Sequence, residues 1–336
     1  MGQATGASEP TIFVSIASYC DPLLVFTLDS CLANARHPDR LRFGICSQND
    51  PDAPVPLDRF RSDPRFAFSD HDYRQSKGGC WAREISQGMW AGETFVLQVD
   101  SHTAFAPNWD DSLVRMMARL PASKPLISML LPLFLLDEDG QVLAERSFGL
   151  RATRVAKWQA EDGWAPWFDW GCTVDGHPCR NRFLSGGFVF TLGAWTEEVR
   201  QDPEHYYWGE EFALAVRSYT HGYDIFLPDE LVAWHFEHRE ASPRRHRDRA
   251  REEVALRNQI AVNRLHALVF PQDGAPGVVL GRYALGTARS LSDYEAFAGM
   301  DLTGRRAHPD IFEGVPNAGD TIKGAADWAQ CIELPR

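Results

Sequence analysis

The segment Thr94-Phe95-Val96-Leu97-Gln98-Val99 constrains the fold more than any other part of this chain. It is too short for a buried helix, and it offers water almost no polar face. It therefore reads as a strand covered on both sides. Ahead of it, Lys77-Gly78-Gly79 opens a helical pattern with Trp81, Ile85 and Met89 at i, i+4 and i+8, closed by Ala91-Gly92. A helix feeding a strand that is buried on both faces predicts an α/β fold with a mostly parallel central sheet flanked by helices. Such sheets bind ligands at the carboxyl ends of their strands. The three residues at this strand's carboxyl end are Asp100-Ser101-His102.

The rest of the chain supplies the partners such a sheet needs. Ile12 to Ile16 reads as the first strand, followed by a polar turn over Ser18 to Pro22 and a helix with Leu24, Leu28 and Leu32 on one face. Leu41 to Cys46 reads as an alternating strand, Asn49 to Pro64 as a Pro- and Asp-rich loop, and Phe66 to Phe68 as a short strand. A helix is predicted over Trp109 to Leu120, a strand over Gly187 to Thr191, and a helix over Glu210 to Thr220. Ile225 to Ala233 reads as one apolar strand ending at Trp234-His235, and Arg244 to Leu268 as a long charged helix. The expected organisation is a flexible terminus over residues 1–10, a principal domain over 11–268, and an appendage over 269–336 that packs on it.

Composition excludes several classes of function. The formal charge of −12 argues against a nucleic-acid binder, whose surface would be basic. The longest apolar run, Ile127 to Leu136, is too short to span a bilayer and is interrupted by Pro132. Residues 1–10 lack the basic-then-apolar pattern of a secretory signal, so the seven cysteines are expected to be reduced thiols in the cytoplasm. Eleven Trp and twenty Phe exceed what packing alone usually demands, which leaves room for rings that stack on a ligand.

Candidate chemistry gathers at a few places. A carboxylate and an imidazole two residues apart at a turning strand end can aim at one point, and together they suit Mn²⁺ or Mg²⁺ with a ligand phosphate completing the shell. The same spacing recurs at Asp175-Gly176-His177, in a stretch without a strand before it. His235 also follows an apolar strand and is the third candidate ligand. Glu210 and Glu211 follow Tyr206-Tyr207-Trp208-Gly209, so carboxylates that bind sugar hydroxyls stand beside rings that can stack on a sugar. Gly78-Gly79 opens a helix that carries Arg83, one turn from an N-terminus suited to phosphate. Gly186 and Gly187 begin a strand, where glycine marks either a close backbone approach or a simple bend. Cys172, His177 and Cys179 supply three of the four ligands structural zinc requires and read as ordinary loop. Arg244 to Arg247 form a basic patch that either covers a diphosphate or starts a solvated helix.

In order along the chain, these motifs resemble one family. Val14-Ser15-Ile16-Ala17-Ser18-Tyr19 with Asp21-Pro22 is similar to the opening strand of the GlcNAc-transferases of bacteria and eukaryotes. That family includes cytoplasmic enzymes that attach GlcNAc to a protein hydroxyproline. Gly79 to Arg83 through Leu97 to His102, then Gly209-Glu210-Glu211, Thr220 to Asp224, and Leu285 to Leu291 with Tyr294 extend the resemblance over about residues 11 to 300. A weaker similarity, carried by Arg83, Asp100 to His102 and Trp208 to Glu211, reaches the polypeptide GalNAc-transferases. Cys20 stands where the family carries a basic residue, and residues 160 to 182 match no part of the pattern, so the acceptor does not transfer.

The resemblance implies a GT-A-type nucleotide-diphospho-sugar transferase fold and a UDP-sugar donor, UDP-GlcNAc first, used with retention of anomeric configuration. It implies metal ligation by Asp100, His102 and His235. Donor contacts would come from Ser18, Tyr19, Asp21, Arg83, Ser101, Gly186, Gly187 and Trp208, and Glu211 with Glu210 would act as the catalytic pair that positions the sugar or the acceptor hydroxyl. Two alternatives use the same residues: a carbohydrate-binding protein that has lost the chemistry, and a metal-dependent nucleotidyltransferase or phosphoesterase.

Overall fold

The computed structural model describes residues 9–137, 142–144, 149–159, 165–175, 178–206, 208–236, 249–270, 276–317 and 321–334. Its strands are, in order, β1 (Ile12–Tyr19), β2 (Leu41–Asn49), β3 (Phe66–Asp72), β4 (Phe95–Asp100), β5 (Thr103–Phe105), β6 (Pro125–Ser128), β7 (Leu133–Leu136) and β8 (Val142–Ala144). They continue with β9 (Arg151–Gln159), β10 (Ala165–Thr173), β11 (Phe188–Leu192), β12 (Asp224–Phe226) and β13 (Ala233–Phe236). The central sheet has seven strands in the order β12-β6-β11-β4-β1-β2-β3. All run parallel except β11, which is antiparallel to both of its neighbours. The mixed α/β fold with a mostly parallel sheet is therefore as the sequence predicts.

The expected apolar run is β4, at the centre of the sheet, with Val96 to Val99 buried. Because β11 is reversed, Phe188 pairs with Val99, and the residues that lead into β11 lie beside the carboxyl end of β4. One antiparallel strand thus delivers Gly186 and Gly187 to Asp100.

Several elements differ from the sequence reading. β2 does not alternate: Phe43 to Gln48 are all buried, because β2 lies between β1 and β3 with both faces covered. Helix Gly79–Gln87 stops short of Met89, and it buries Cys80, Ala82, Ser86 and Gln87 while Trp81 and Ile85 are half-buried. The sheet beneath it is locally polar: the Ser86 and Ser15 hydroxyls lie 2.8 Å apart, and the Gln87 amide donates to Gln98 Oε1 at 3.0 Å. An apolar stripe was the wrong signal for this contact. Ile225 to Ala233 is not one strand. β12 ends at Phe226 in the central sheet, and β13 starts at Ala233 in a second sheet ordered β5-β13-β7-β8. His235 lies within β13, opposite Thr103 of β5 and Leu133 of β7.

The charged helix is described over Arg251–Val269, and the patch Arg244 to Arg247 lies outside the described residues. Leu265, Leu268 and Phe270 share one hydrophobic cluster with Phe183, Phe212 and Tyr219, and with Tyr294, Phe297 and Met300 from the last part of the chain. Among the described residues no helix is long and apolar enough to cross a membrane. All seven cysteines are free thiols.

Candidate active site

Asp100 closes β4, and the turn that follows is held by its own neighbours: the Thr103 hydroxyl donates to Asp100 O at 2.9 Å, and the Thr27 hydroxyl donates to Ser101 O at 2.9 Å. This turn sets the Asp100 and His102 side chains toward His235 on β13. His102 Nε2 lies 2.9 Å from His235 Nε2, and Asp100 Oδ2 lies 3.3 Å from His235 Nε2 and 4.0 Å from His102 Nε2. Among the described residues, these three form the one group of His, Cys, Asp or Glu with metal-site spacing. His177 is outside the described residues; Cys172 is exposed and donates to Glu313 O.

The orientation of His102 has a specific cause. Its Nδ1 lies 2.8 Å from Asp21 Oδ2, and the same oxygen accepts from the Ser101 hydroxyl at 2.6 Å. An ionised carboxylate can only accept, so Nδ1 carries the ring proton and Nε2 keeps its lone pair. This carboxylate–histidine pair is the support that metal-ligating histidines recurrently have. Asp21 and Ser101 are thus both buried and engaged with His102's environment.

Arg83 links Asp100 of this cluster to Glu210. Its Nη2 donates to Asp100 Oδ1 at 3.0 Å and its Nη1 donates to Glu210 Oε1 at 3.0 Å. The Cys80 thiol donates to the other Glu210 oxygen, and Gln201 Nε2 donates to Cys80 Sγ at 3.2 Å. Burial opposes ionisation of Asp100, but the His235 hydrogen bond and the Arg83 charge outweigh it and hold the carboxyl well below its usual range. Arg83 is likewise partly desolvated, yet Glu210 and Asp100 raise it further and fix its charge.

Glu210 and Glu211 begin helix Glu210–Thr220, where the N-terminal dipole favours acids. Gly209, with φ of 73°, turns the chain into that helix. Glu211 Oε1 accepts from Gly186 N at 2.7 Å. Burial, with Glu210 beside it, pushes the Glu211 carboxyl up to about 7. The glycine pair allows the close approach: a Cβ on Gly186 would meet Arg83 Nη1 at 2.6 Å, and one on Gly187 would meet Asp100 Oδ2 at 2.9 Å. Of the two readings left open for these glycines, a close approach or a bend, the structure shows a close approach, and it is made by the site's own side chains.

Arg83, Asp100, His235, Gly187, Glu210 and Glu211 line one cavity of about 470 Å³, together with Trp208 and the Pro166–Trp170 stretch of β10. A second cavity, of about 650 Å³, is lined by Cys20, Pro22, Asp50, Ala53 to Pro56 and Tyr73. Tyr19, at the end of β1, meets Tyr73 edge-on at 6.0 Å. Ser18 is buried in the same strand end, and its hydroxyl has no hydrogen-bond partner among the described residues. Asp21, flanked in sequence by Cys20 and Pro22 of this lining, joins the region to His102.

Sequence reasoning missed Cys80, whose contact with Glu210 spans 130 positions, and the hydrogen-bonding role of Asp21 toward His102. It also gave Trp167 and Trp170 no role beyond membership of a Trp-rich stretch, and only the β9–β10 pairing places them at the cavity.

The model of one protein family, described as glycosyltransferase (GlcNAc), matches residues 11–66 and 61–304. The chain belongs to this family. Among solved structures it is similar to GalNAc-T7, crystallised with UDP, GalNAc and Mn²⁺, with a TM-score of 0.55 and 14% identity over 78% of this chain and 49% of that one. That likeness shows the GT-A fold. No curated protein sequence matches the chain.

Proposed function

We propose that this glycosyltransferase moves a sugar, GlcNAc first among candidates, from a UDP-sugar to an acceptor hydroxyl with retention, using Mn²⁺ or Mg²⁺. The observation that carries the reading is the convergence of Asp100 Oδ2, His102 Nε2 and His235 Nε2 at the carboxyl end of the central strand. The donor set fits a divalent cation. It combines one hard oxygen with two imidazole nitrogens, and the separations of 2.9 and 3.3 Å are those of neighbouring ligands on one ion. When bound, the ion supplies positive charge to the diphosphate that leaves. The similar GalNAc-T7 structure, with UDP and Mn²⁺ bound, supports the same choice.

The chain's own residues account for the rest. Arg83, charged and fixed by two carboxylates, sits where it can stabilise the developing negative charge of the leaving group. The cavity lined by Cys20, Pro22 and Tyr73, next to Ser18 and Tyr19, takes the nucleoside. Ser101 and Asp21 hold His102, Gly187 and Trp208 shape the space for the donor sugar, and Gly186 acts there through its bond to Glu211. In the transfer, the acceptor oxygen bonds to the anomeric carbon, and the bond from that carbon to the diphosphate oxygen breaks. The electron pair leaves with the diphosphate, which also takes the hydroxyl proton.

That route suits this site. Glu210 is held by Arg83 and Cys80, and Glu211 by Gly186 N, so with the diphosphate as proton acceptor neither has to take the hydroxyl proton. Both instead hydrogen-bond hydroxyls of the sugar or the acceptor. A phosphoesterase or nucleotidyltransferase with two metals needs more carboxylates than the single one in this cluster.

A panel of UDP-sugars with Mn²⁺ or Mg²⁺, read by UDP release and by calorimetry of UDP, tests the proposal. Slow hydrolysis of UDP-GlcNAc without acceptor is expected. No UDP binding and no turnover with any donor sinks it, and release of pyrophosphate instead of UDP moves the chain to nucleotidyl transfer.

A further inference from the structure

The cavity of about 470 Å³ has a lining of two unlike kinds: Asp100, His235 and Arg83 are ionisable, and Trp167, Phe168 and Trp170 of β10 are aromatic. Of the aromatic residues, Trp167 is 38% exposed, although large apolar side chains elsewhere in the chain are mostly buried. Its ring is tilted against Trp208, with centroids 5.3 Å apart and planes at 54°. The Lys157 ammonium lies 5.7 Å from its centroid, at the outer limit of cation–π contact. The hairpin therefore brings the Trp167 indole into the cavity lining, with the Lys157 ammonium over its ring and Glu211 in the same lining.

Resting on the reading of the site as a sugar-nucleotide transferase, we propose that the β9–β10 hairpin forms the acceptor subsite and that the acceptor is a carbohydrate. A pyranose ring stacks on Trp167 and directs one hydroxyl toward Asp100 and His235. The chemistry of the aromatic lining matches that ligand. The C–H face of a pyranose is apolar and slightly positive, and it meets the negative face of an indole. Its rim of hydroxyls needs hydrogen-bond partners, and the Lys157 ammonium beside Trp167 and the Glu211 carboxyl in the cavity lining are groups of that kind.

A peptide acceptor is the obvious competitor, and the hairpin is poorly built for one. Extended peptides add to a sheet through free backbone groups on an edge strand. On β10, Trp170 N already donates to Asp169 Oδ1 at 2.8 Å, Trp170 O accepts from Arg154 Nε at 3.0 Å, and Gly171 O accepts from Arg151 Nη1 at 3.2 Å. At Trp170 and Gly171, therefore, side chains of the hairpin itself already occupy backbone groups of β10.

The test uses the full chain with UDP-GlcNAc and Mn²⁺. It compares methyl glycosides and β1,4-linked disaccharides with Ser-, Thr- and hydroxyproline-containing peptides, products being read by mass spectrometry. Transfer to glycosides is expected. Trp167→Ala should raise the glycoside KM at least tenfold while UDP affinity by calorimetry changes less than twofold, and Trp167→Phe should recover most of the loss. Saturation-transfer NMR with the disaccharides should show binding to the wild-type chain that Trp167→Ala loses. Transfer confined to peptides, or a glycoside KM unmoved by Trp167→Ala, overturns the inference and leaves the transferase reading intact. Absence of both UDP binding and UDP release defeats that reading itself, and the acceptor assignment with it.

Discussion

Asp100 and His102 were legible in the sequence because the cue that exposes them is local: a run of apolar residues stops, and two ligand types follow it. The Asp21 contact that fixes the orientation of His102 was not legible, because it joins positions 81 apart. It gives a direct prediction. Asp21→Asn keeps the shape but removes the charge that fixes the Nδ1 proton, so Mn²⁺ affinity should fall about 10- to 100-fold, the usual cost of losing such a support. Manganese titration by calorimetry or electron paramagnetic resonance reads this directly, and His235→Ala should lose the site altogether. Glu211 gives a second prediction through its raised carboxyl, about 7 against 4.5. Between those values the unfolded chain releases a proton that the folded chain keeps, so this group's contribution to stability falls as pH rises through the window and is constant above it. Glu211→Gln keeps an oxygen for Gly186 N and has no charge to bury. The variant should match wild type near pH 4.5 and exceed it by about 1–3 kcal/mol at pH 8. Denaturant melts at the two pH values check the sign, and equal differences at both would refute it.

At the scale of elements, the reading succeeded where burial alone decides the structure and failed where polar contacts do. β4 and helix Glu210–Thr220 fall where the hydrophobic pattern puts them. Helix Gly79–Gln87 turns a different face to the sheet because Ser86 and Gln87 find Ser15 and Gln98 there, and no apolar periodicity records that. The Ile225–Ala233 run misled for a related reason. An unbroken apolar stretch cannot show that the chain leaves one sheet after Phe226 and enters another at Ala233. The start of β11 shows how tightly neighbouring elements constrain one another. Gly187 leaves no room for a side chain beside Asp100, so Gly187→Ala should push the carboxylate away from the two histidines. Mn²⁺ affinity should drop at least tenfold while the circular dichroism spectrum and the melting temperature stay close to wild type. A variant that binds Mn²⁺ normally would mean that Asp100 has room to move.

At the scale of the whole molecule, the sequence suggested a boundary near residue 268, drawn where glycine and proline become frequent. The packing across that boundary is continuous. Tyr294 meets Tyr219 edge-on at 5.5 Å, Phe297 stacks on Tyr219 at 4.9 Å, and the Tyr294 hydroxyl donates to Arg182 O at 3.1 Å. The segment also reaches the helix that carries the site glutamates: Gly286 N donates to the Thr220 hydroxyl at 3.0 Å, and Thr220 is the last residue of helix Glu210–Thr220. Tyr294, Phe297, Ala298 and Met300 are each fully buried. Removing two large aromatic side chains from such a core costs about 3–5 kcal/mol each, against a total stability of roughly 5–15 kcal/mol. A chain ending at residue 270 should therefore not retain the fold of residues 11–268 in isolation. It should lose near-ultraviolet circular dichroism, bind a hydrophobic dye and show no cooperative melt. If the shortened chain instead melts cooperatively and still binds Mn²⁺, the last segment is a true appendage and the helix of Glu210 and Glu211 holds its place without it.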